Sequence, residues 1–417
     1  MTTVLRRLAG FTLLPLLSLV TPFLLMPVVA RIAGGDGWSS VVAGQAVGTF
    51  GATVVFWGWN VVGPVQIARA ADARAQAEVY AASLRTRLGL LVVVLPVSMA
   101  VSVAIARPDY RVISAAMAAA TALLGLSPAW FGIGVGRPML LLWYDTLPRF
   151  VAAVVATPVV LVTRQIWPYP VLLALSVVVG LLAFHRGVAG GSGWSPWPLR
   201  GTARELGAQG STAAINLTAT AYASSPVPIA TATFAETRSS ALASADTAYR
   251  LGLFAVTAMG NAFQGWTLEL GAPRRARHLS AIGSHLVLGA VGAVAFALLG
   301  PWATGVLFGD AVAATREICV AYGVSFLFIS ASSPLIRNLL IPAGRTRLVL
   351  GWTAVSAVAG LTLMFAAARS GWLAGVAFGM AVSEAAMFFG LLTPALRVLR
   401  DQSVALHAPS AGEDAAS

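Results

Sequence analysis

Apolar stretches of membrane-spanning length alternate with short polar breaks along almost the whole chain of 417 residues. An α-helix rises about 1.5 Å per residue, so about 20 apolar residues cross a hydrocarbon core of about 30 Å. The pattern therefore predicts an all-α integral membrane protein with about twelve transmembrane helices. These lie over 8–30, 38–63, 85–106, 111–133, 140–163, 168–185, 205–232, 238–265, 280–308, 313–341, 346–368 and 371–397.

A connector rich in glycine, serine, proline and tryptophan separates the sixth and seventh predicted helices and reads HRGVAGGSGWSPWPLRGTARE. Because it divides the helices into two sets of six, we expect two bundles joined by a linker. The predicted units are an N-terminal six-helix lobe over 1–186, a cytoplasmic linker over 187–204, and a C-terminal six-helix lobe over 205–399. The polar end of the chain, 400–417, has the composition of a disordered cytoplasmic tail.

Composition agrees with a membrane protein and excludes an ordinary soluble enzyme. Hydrophobic residues make up 58% of the chain, charged residues 10%, and the mean hydropathy is +0.82. The net charge of +12 does not indicate a nucleic-acid partner, because the arginines are scattered between apolar segments. The single cysteine, Cys319, excludes an intramolecular disulfide, and the dispersed histidines give no reason to expect a metal site.

The distribution of arginine predicts the orientation of the chain. With a cytoplasmic N-terminus, the inner-side segments hold seventeen arginines and the outer-side segments hold seven. Positive residues accumulate on the cytoplasmic side of membrane proteins. Both termini are therefore predicted to be cytoplasmic. The inner-side set is Arg6, Arg7, Arg69, Arg74, Arg85, Arg87, Arg137, Arg186, Arg200, Arg204, Arg274, Arg275, Arg277, Arg345, Arg347, Arg397 and Arg400.

The segment between the second and third predicted helices, PVQIARAADARAQAEVYAASLRTR, carries too many charges to cross the membrane. Its alanine, arginine, glutamine and glutamate residues favour a helix. It is predicted to be either a short amphipathic helix on the cytoplasmic face or a plain solvated connector.

Six charged residues remain inside the predicted spans, and these are the candidate functional residues. A charge at the centre of a membrane costs about 3 kcal/mol on insertion scales, so such residues usually face a bundle interior or a wet cavity. They comprise three acidic and three basic side chains: Asp145, Asp246, Glu384, Arg149, Arg250 and Arg337.

Four of these residues form two pairs, Asp145 with Arg149 and Asp246 with Arg250, each at a spacing of i, i+4. Two interpretations stay open for each pair. The two charges neutralise each other on one helix face and lower the cost of insertion. Alternatively, the aspartate holds a guanidinium that binds a phosphate or carboxylate of a ligand.

Arg337 has no acidic residue three or four positions away, so its counter-charge must come from another helix or from a bound ligand. Glu384, near the middle of the twelfth predicted helix, is one candidate partner. The alternative is that Arg337 extends along the helix to the cytoplasmic face.

Sequence templates for catalysis are missing. The chain has no GxxxxGK[ST] motif for binding a nucleotide and no serine or cysteine nucleophile with a supporting histidine and acid. GIGVG at 132–136 follows an apolar helix, whereas a dinucleotide-binding glycine loop follows a β-strand. We therefore predict neither an enzyme nor a bound cofactor.

Several stretches resemble a known family. LLPLLSLVTPFLLMPVVARIAGGDGWSSVVAGQAVGTFGATVVFWGWNVVGPVQIARA is similar to the first two helices of bacterial polysaccharide flippases. These flippases are the O-antigen and capsule-type translocases of the multidrug/oligosaccharidyl-lipid/polysaccharide exporter superfamily. SPAWFGIGVGRPMLLLWYDTLPRF resembles the family's turn between the fourth and fifth helices. Its aromatic, glycine and basic positions are held here by Trp130, Phe131, Gly132 and Arg137.

The second half carries the same resemblance. SADTAYRLGLFAVTAMGNAFQ is similar to the family's eighth helix, and IPAGRTRLVLGWTAVSAVAGLTLMFAAARSGWLAGVAFGMAVSEA is similar to its region from the tenth to the twelfth helix. The chain departs from the family at Val65 and Gln66, where a more charged pair is common, and in the serine- and proline-rich seventh helix.

The resemblance implies two helical lobes around a central cavity that opens alternately to each face of the bacterial cytoplasmic (inner) membrane. The implied cargo is an oligosaccharide linked by diphosphate to a polyprenol, with a polysaccharide polymerase or glycosyltransferases as further partners besides membrane lipid. The cationic candidates for the diphosphate are then Arg337, Arg250 and Arg149, and the candidates for ion coupling are Asp145, Asp246 and Glu384.

The leading hypothesis from the sequence is therefore a flippase for lipid-linked oligosaccharides. One alternative is an ion-coupled drug or small-molecule antiporter of the same superfamily. A third, from a different class, is a non-transporting membrane scaffold of polysaccharide assembly whose charge pairs are purely structural.

Overall fold

The structure is a computed structural model that describes residues 2–188, 199–268 and 274–404; within this part, the regular structure is entirely helical. In chain order, the N-terminal lobe consists of α1 (Thr2–Phe56), α2 (Trp59–Arg69), α3 (Ala73–Ile105), α4 (Arg111–Ala122), α5 (Ala129–Gly134), α6 (Pro138–Leu141), α7 (Leu147–Thr163) and α8 (Pro168–Gly187). The C-terminal lobe consists of α9 (Leu199–Ala223), α10 (Pro226–Thr233), α11 (Glu236–Leu268), α12 (Arg274–Phe308), α13 (Arg316–Pro334), α14 (Thr346–Arg369) and α15 (Leu373–Val404).

The predicted all-α membrane fold is confirmed. Nine of the described helical segments are long and apolar enough to cross a membrane. One of them, Leu24–Arg69, contains the end of the first predicted helix and all of the second. The seventh and eighth predicted helices, within α9–α10 and α11, are not among the nine and are the more polar members of the bundle.

The first predicted helix and most of the second lie in one element, α1, which changes direction at Gly34; the end of the second predicted helix lies in α2, after a bend at Trp57 and Gly58. Gly34 has φ 63° and ψ −166°, a left-handed backbone that glycine adopts without a steric penalty. The chain therefore changes direction within the GGDG sequence without a separate loop. The break marks the end of the bundle that we call outer, following the orientation predicted from the arginines.

The predicted amphipathic segment over 64–87 is divided between two helices. α2 ends at Arg69, and Asp72 caps the start of α3 by accepting a hydrogen bond from the Ala75 amide at 2.8 Å. The remainder of the segment is the first part of α3, which continues without interruption to Ile105. Neither predicted form, a separate amphipathic helix or a plain solvated connector, matches this arrangement, because most of the segment belongs to two longer helices.

Two helices contain a π-helical turn, over Leu142–Thr146 and over Leu335–Leu340. The first holds Asp145 and the second holds Arg337. A π turn inserts one extra residue into an α-helix and is frequent at functional sites. Two of the six candidate residues thus lie at irregular positions that the apolar pattern does not reveal.

Three hydrophobic cores show how the lobes meet. The largest contains residues of both lobes, among them Trp38 and Leu242, and reaches the outer end at Phe308. The two smaller cores lie at the inner end and each belongs to one lobe, one around Trp130 and the other around Leu391. The lobes therefore share their packing toward the outer face and have separate cores at the inner face.

At the inner end, α9 reaches across to the N-terminal lobe. Trp57 Nε1 donates to the Leu206 carbonyl at 3.0 Å, and the Thr53 hydroxyl donates to that of Thr220 at 3.3 Å. α9 thus contacts both lobes, a position that matters for the mechanism proposed below.

Candidate functional site

The Asp246/Arg250 pair lies in the middle of the C-terminal lobe. Arg250 Nε donates to Asp246 Oδ2 at 2.6 Å, and the Tyr322 hydroxyl donates to Asp246 Oδ1 at 3.0 Å. The two partners differ in environment, because the side chain of Asp246 is 1% exposed and that of Arg250 is 36% exposed. The carboxylate is therefore enclosed, and the side chain of Arg250 is only partly buried.

Glu384 of α15 joins the same region. It is buried, and it accepts a hydrogen bond from the hydroxyl of Tyr222 on α9 at 3.1 Å. The ring of Tyr249 packs against that of Tyr322, with centroids 5.3 Å apart, and its hydroxyl has no partner among the described residues. We call this group the C-lobe cluster; it comprises Tyr222, Asp246, Tyr249, Arg250, Tyr322 and Glu384.

Arg250 also stabilises a break in the neighbouring helices. Its Nη2 donates to the Ala223 carbonyl at 2.6 Å, at the point where α9 ends and before Pro226 begins α10. The last carbonyls of a helix have no donor within that helix, so the carbonyl of Ala223, the final residue of α9, needs another donor. One side of the Arg250 guanidinium thus has a structural role that the sequence did not predict.

The Asp145/Arg149 pair lies within the N-terminal lobe. Arg149 forms an ion pair with Asp145 through Nη2, and the Ser127 hydroxyl donates to the other carboxylate oxygen at 2.5 Å. The side chains of Asp145 and Arg149 are 11% and 30% exposed. Both predicted i, i+4 ion pairs therefore form, and each aspartate has a hydroxyl as its second partner.

Arg149 lines a cavity of about 210 Å³ between α1, α7 and α8. Its wall combines apolar side chains such as Leu25 with a smaller number of polar groups, including Gln45, Thr121 and Tyr169. A mostly apolar pocket with a few polar groups is typical of a small-molecule site. We call it the N-lobe cavity.

The structure places Arg337 away from both pairs. Its Nη2 donates to the Asn261 side-chain oxygen on α11 at 2.7 Å. The predicted pairing with Glu384 is not the arrangement observed, because Glu384 is bonded to Tyr222. Arg250, Thr257 and Asn261 share one face of α11 by their spacing, so a polar stripe connects the C-lobe cluster to Arg337.

Sequence reasoning missed the hydroxyl partners of the carboxylates. Tyr222, Tyr249 and Tyr322 are buried. Each lies in a predicted transmembrane helix, where a tyrosine fits the apolar pattern and gives no sign of a polar role. One signal was usable: Tyr249 follows Asp246 by three residues and directly precedes Arg250, so a tyrosine accompanies this acidic and basic pair in the sequence. No such signal exists for Tyr222 and Tyr322, because their partners are distant in sequence.

No group of three or more histidine, cysteine, aspartate or glutamate residues that could hold a metal ion occurs in the described part of the chain. The C-lobe cluster instead offers carboxylate and phenol oxygens in a dry setting. Such groups bind or release a proton, or bind a monovalent cation, without a dedicated metal site.

The outer ends of the lobes are held together by short polar side chains. The Ser39 amide donates to the Ser240 hydroxyl at 3.1 Å, and the Ser239 hydroxyl donates to that of Ser39 at 3.0 Å. At the edge, Arg107 forms an ion pair with Glu236 at 3.4 Å. We call these contacts the outer seal. It closes one end of the interface between the lobes.

By sequence, the chain matches no protein-family model and no curated protein. By structure, it is similar to a multidrug resistance MATE family transporter of the MOP superfamily in an inward-facing conformation, with a TM-score of 0.65 and 16% identity. That similarity covers 94% of this chain and 99% of the other.

A crystal structure of a MATE point mutant is also similar, with a TM-score of 0.51 and 18% identity over 94% of this chain and 97% of that one. The chain therefore has the fold of MATE transporters, with two helical bundles around a central cavity. The similarity concerns the fold and does not single out polysaccharide flippases.

Proposed function

We propose that the chain is an alternating-access exporter of the bacterial inner membrane, with both termini cytoplasmic, that couples the outward movement of a small organic solute to an ion gradient. The fold shared with a multidrug resistance MATE family transporter supports an antiporter over a lipid-linked oligosaccharide flippase and over a non-transporting scaffold. The observation that carries the proposal is the C-lobe cluster, where Asp246 and Glu384 are buried beside phenol groups. Buried carboxylates within a membrane mark ion and proton pathways.

Glu384 is the proposed carrier of the coupling ion. Its hydrogen-bond partner is the neutral Tyr222, whereas Asp246 is held by the permanently charged Arg250. Glu384 therefore gains or loses a proton, or a cation, without breaking an ion pair. Asp246 fixes the position of Arg250 through their ion pair.

In this proposal, α9 links the charge on Glu384 to the relative position of the two lobes. It carries Tyr222, which contacts Glu384, and at its other end Leu206 accepts a hydrogen bond from Trp57 of the N-terminal lobe. Loss of the charge on Glu384 weakens a charge-assisted hydrogen bond on one side of α9. Occupancy of the C-lobe cluster thus biases the position of one lobe against the other, which is the requirement for coupled transport.

Closure of the outer seal is tested with a disulfide across it. The Oγ atoms of Ser39 and Ser239 are 3.0 Å apart, so Ser39→Cys/Ser239→Cys, in a Cys319→Ala background, is expected to cross-link. Oxidation should stop transport, and reduction should restore it. Ser102→Cys/Ser114→Cys is the matched control, since these hydroxyls are 2.6 Å apart within one lobe. If both cross-linked proteins transport equally, the lobes do not need to separate at the outer seal.

Coupling is tested in proteoliposomes with a fluorescent organic cation and an imposed proton or sodium gradient. Glu384→Gln should reduce gradient-driven transport by more than about 10-fold, because the amide cannot change its charge. Glu78→Gln removes a carboxylate whose side chain is 70% exposed and should transport like the parent protein. Unchanged gradient-driven transport by Glu384→Gln would show that Glu384 is not the coupling residue.

A second candidate function, flipping of a polyprenyl-diphosphate-linked oligosaccharide, is favoured by one observation. In both ion pairs the arginine is more exposed than its aspartate, at 36% against 1% and 30% against 11%. The accessible groups are thus cationic, as an anionic diphosphate requires. A polysaccharide polymerase or glycosyltransferases would be the partners in this case.

This candidate is tested with a fluorescent polyprenyl-diphosphate lipid whose orientation in vesicles is read by a membrane-impermeant quencher. Flipping should be lost in Arg250→Ala and Arg337→Ala and kept in Arg345→Ala, because Arg345 is an exposed arginine beyond the π turn of Arg337. Equal accessibility of the lipid with and without the parent protein would exclude flipping. If solute transport is absent as well, the non-transporting scaffold remains.

A further inference from the structure

Arg87 of α3 was counted among the inner-side arginines, but its side chain is 0% exposed in the N-terminal lobe. Its Nη1 donates to the Ser127 carbonyl at 2.9 Å and to the Gly125 carbonyl at 3.3 Å. Both acceptors are neutral. Among the residues that the structure describes, no carboxylate forms an ion pair with Arg87.

The groups around Arg87 are hydrogen-bond donors whose partners are missing. Arg87 Nη2, the hydroxyls of Tyr80 and Ser83, and the indole N–H groups of Trp59 and Trp130 are buried and have no acceptor in the described part of the chain. Buried polar groups are normally paired, because an unpaired one keeps the full cost of its desolvation. So many unpaired donors in one place indicate a missing acceptor.

The contacts of these side chains place them in one cluster. The Arg87 Cζ lies 5.7 Å from the centroid of the Trp130 ring, and the Trp59 ring lies 5.8 Å from the same ring. Tyr80, Ser83 and Arg87 follow one another at helical spacing on one face of α3. We call these five residues the Arg87 cluster.

The carboxylates near the cluster are already engaged. Asp145 accepts from the Ser127 hydroxyl at 2.5 Å and is paired with Arg149. Glu205 accepts from Thr86 at 2.8 Å, on a different face of α3 from Arg87. Arg87 reaches only the backbone carbonyl of Ser127, and Asp145 is neutralised by Arg149, so the charge of Arg87 has no carboxylate paired with it among the described residues. A buried guanidinium in that condition is costly unless an anion accompanies it.

We propose that the Arg87 cluster binds one small inorganic anion of the halide class, with chloride as the physiological ligand. The cluster supplies a guanidinium, two indole N–H groups and hydroxyls as hydrogen-bond donors. A halide ion is spherical and accepts hydrogen bonds from any direction, so it suits this set of donors. The tight aromatic packing around Trp130 favours a single atom over a tetrahedral phosphate.

A cavity lies on the side of Phe131, whose ring packs against Tyr80 and Trp130 of the cluster. It measures about 490 Å³ and is lined by Gln76 and Ala77, one turn before Tyr80 on α3, and by Phe131 and Arg137. Arg137 at its wall favours the entry of an anion. The anion completes the inner end of the N-terminal lobe and is separate from the C-lobe cluster.

The experiment measures the thermal unfolding midpoint of the purified full-length protein, prepared in sodium gluconate and titrated with sodium bromide at constant ionic strength. A ligand that binds only the folded state raises this midpoint in proportion to the logarithm of its concentration above Kd. The parent protein should gain several degrees, about 3 to 6 °C at saturation. Arg74→Gln, which removes an arginine of α3 that is 90% exposed, should give the same shift.

Arg87→Gln should show no difference between bromide and gluconate. Because that variant also loses its bonds to two carbonyls and can fail to fold, Trp130→Phe provides an independent measurement. It keeps most of the ring packing and removes one donor, so about 10-fold more bromide should be needed for the same shift. The proposal is overturned if the parent protein unfolds at one midpoint in both salts, or if Trp130→Phe titrates at the bromide concentration of the parent.

Discussion

The two Asp/Arg pairs have the same spacing in sequence but different surroundings. Asp246 accepts hydrogen bonds from Tyr322 and Arg250, and Arg250 also donates to the carbonyl of Ala223. In the other pair, Asp145 accepts a hydrogen bond from Ser127, and its arginine borders a cavity. The first pair is therefore a fixed part of helix packing, and the second resembles a pocket wall. Equal sequence spacing does not imply equal roles.

The largest difference between the pairs is expected when each aspartate loses its charge. Asp246→Asn removes a carboxylate that is 1% exposed and bonded to both Arg250 and Tyr322, and should lower the free energy of unfolding by about 3 kcal/mol. Asp145→Asn should cost about 1 kcal/mol, because Asp145 is 11% exposed and its partner Arg149 borders a cavity. The measurement is denaturant unfolding of the purified proteins in detergent. Equal losses in the two variants would contradict the contrast between the pairs.

A smaller contrast is expected for the hydroxyl partners. Tyr322→Phe removes one donor to a carboxylate that is 1% exposed and should cost about 2 kcal/mol. Ser127→Ala should cost about 1 kcal/mol, because a water from the side of the N-lobe cavity can replace the hydroxyl. Unfolding in the same detergent gives both values, and Tyr144→Phe is a control because its hydroxyl bonds neither aspartate. A larger loss of stability in Ser127→Ala than in Tyr322→Phe would contradict the assignment of Asp246 to the more enclosed site.

The smallest effect is expected when the whole Asp145 pair is replaced. Asp145→Ala/Arg149→Ala removes both charges together and should change stability by less than about 1 kcal/mol, since replacement of an entire ion pair is often neutral. Asp246→Ala/Arg250→Ala should cost about 2 kcal/mol, because it leaves the Tyr322 hydroxyl and the Ala223 carbonyl without partners. The coupling energies follow from double-mutant cycles with the single variants. Similar losses of stability in the two double variants would show that the surroundings of a pair do not change its contribution to stability.

The positions of the helices were predictable because membrane crossing imposes a minimum apolar length, and this requirement is local in sequence. The ion pair of Asp246 with Arg250 was predictable for the same reason, since residues four apart meet on a helix. The partners of Glu384 and Arg337 were not, because Tyr222 and Asn261 lie on other helices. Only the packing of the lobes brings them together.

Arg87 shows a different limit of sequence reasoning. Arginines near the inner ends of helices follow the positive-inside rule as a population, and the rule does not say which side chain turns into the bundle. The side chain of Arg87 turns into the bundle because the turn over Leu123–Leu126, at the end of α4, leaves the carbonyls of Gly125 and Ser127 as acceptors for its hydrogen bonds. Helix geometry at that level is not encoded in hydropathy.

The outer seal has a consequence for the response of the protein to its medium. Its interior contacts are made by neutral serines, and the ion pair at its edge, between Arg107 and Glu236, has side chains that are 27% and 43% exposed. Dissolved salt screens an exposed ion pair and leaves hydrogen bonds between neutral groups nearly unchanged. Salt in the outer solution therefore weakens the ion pair at the edge of the seal and leaves its serine contacts in place, so a rise in outer ionic strength favours the open form.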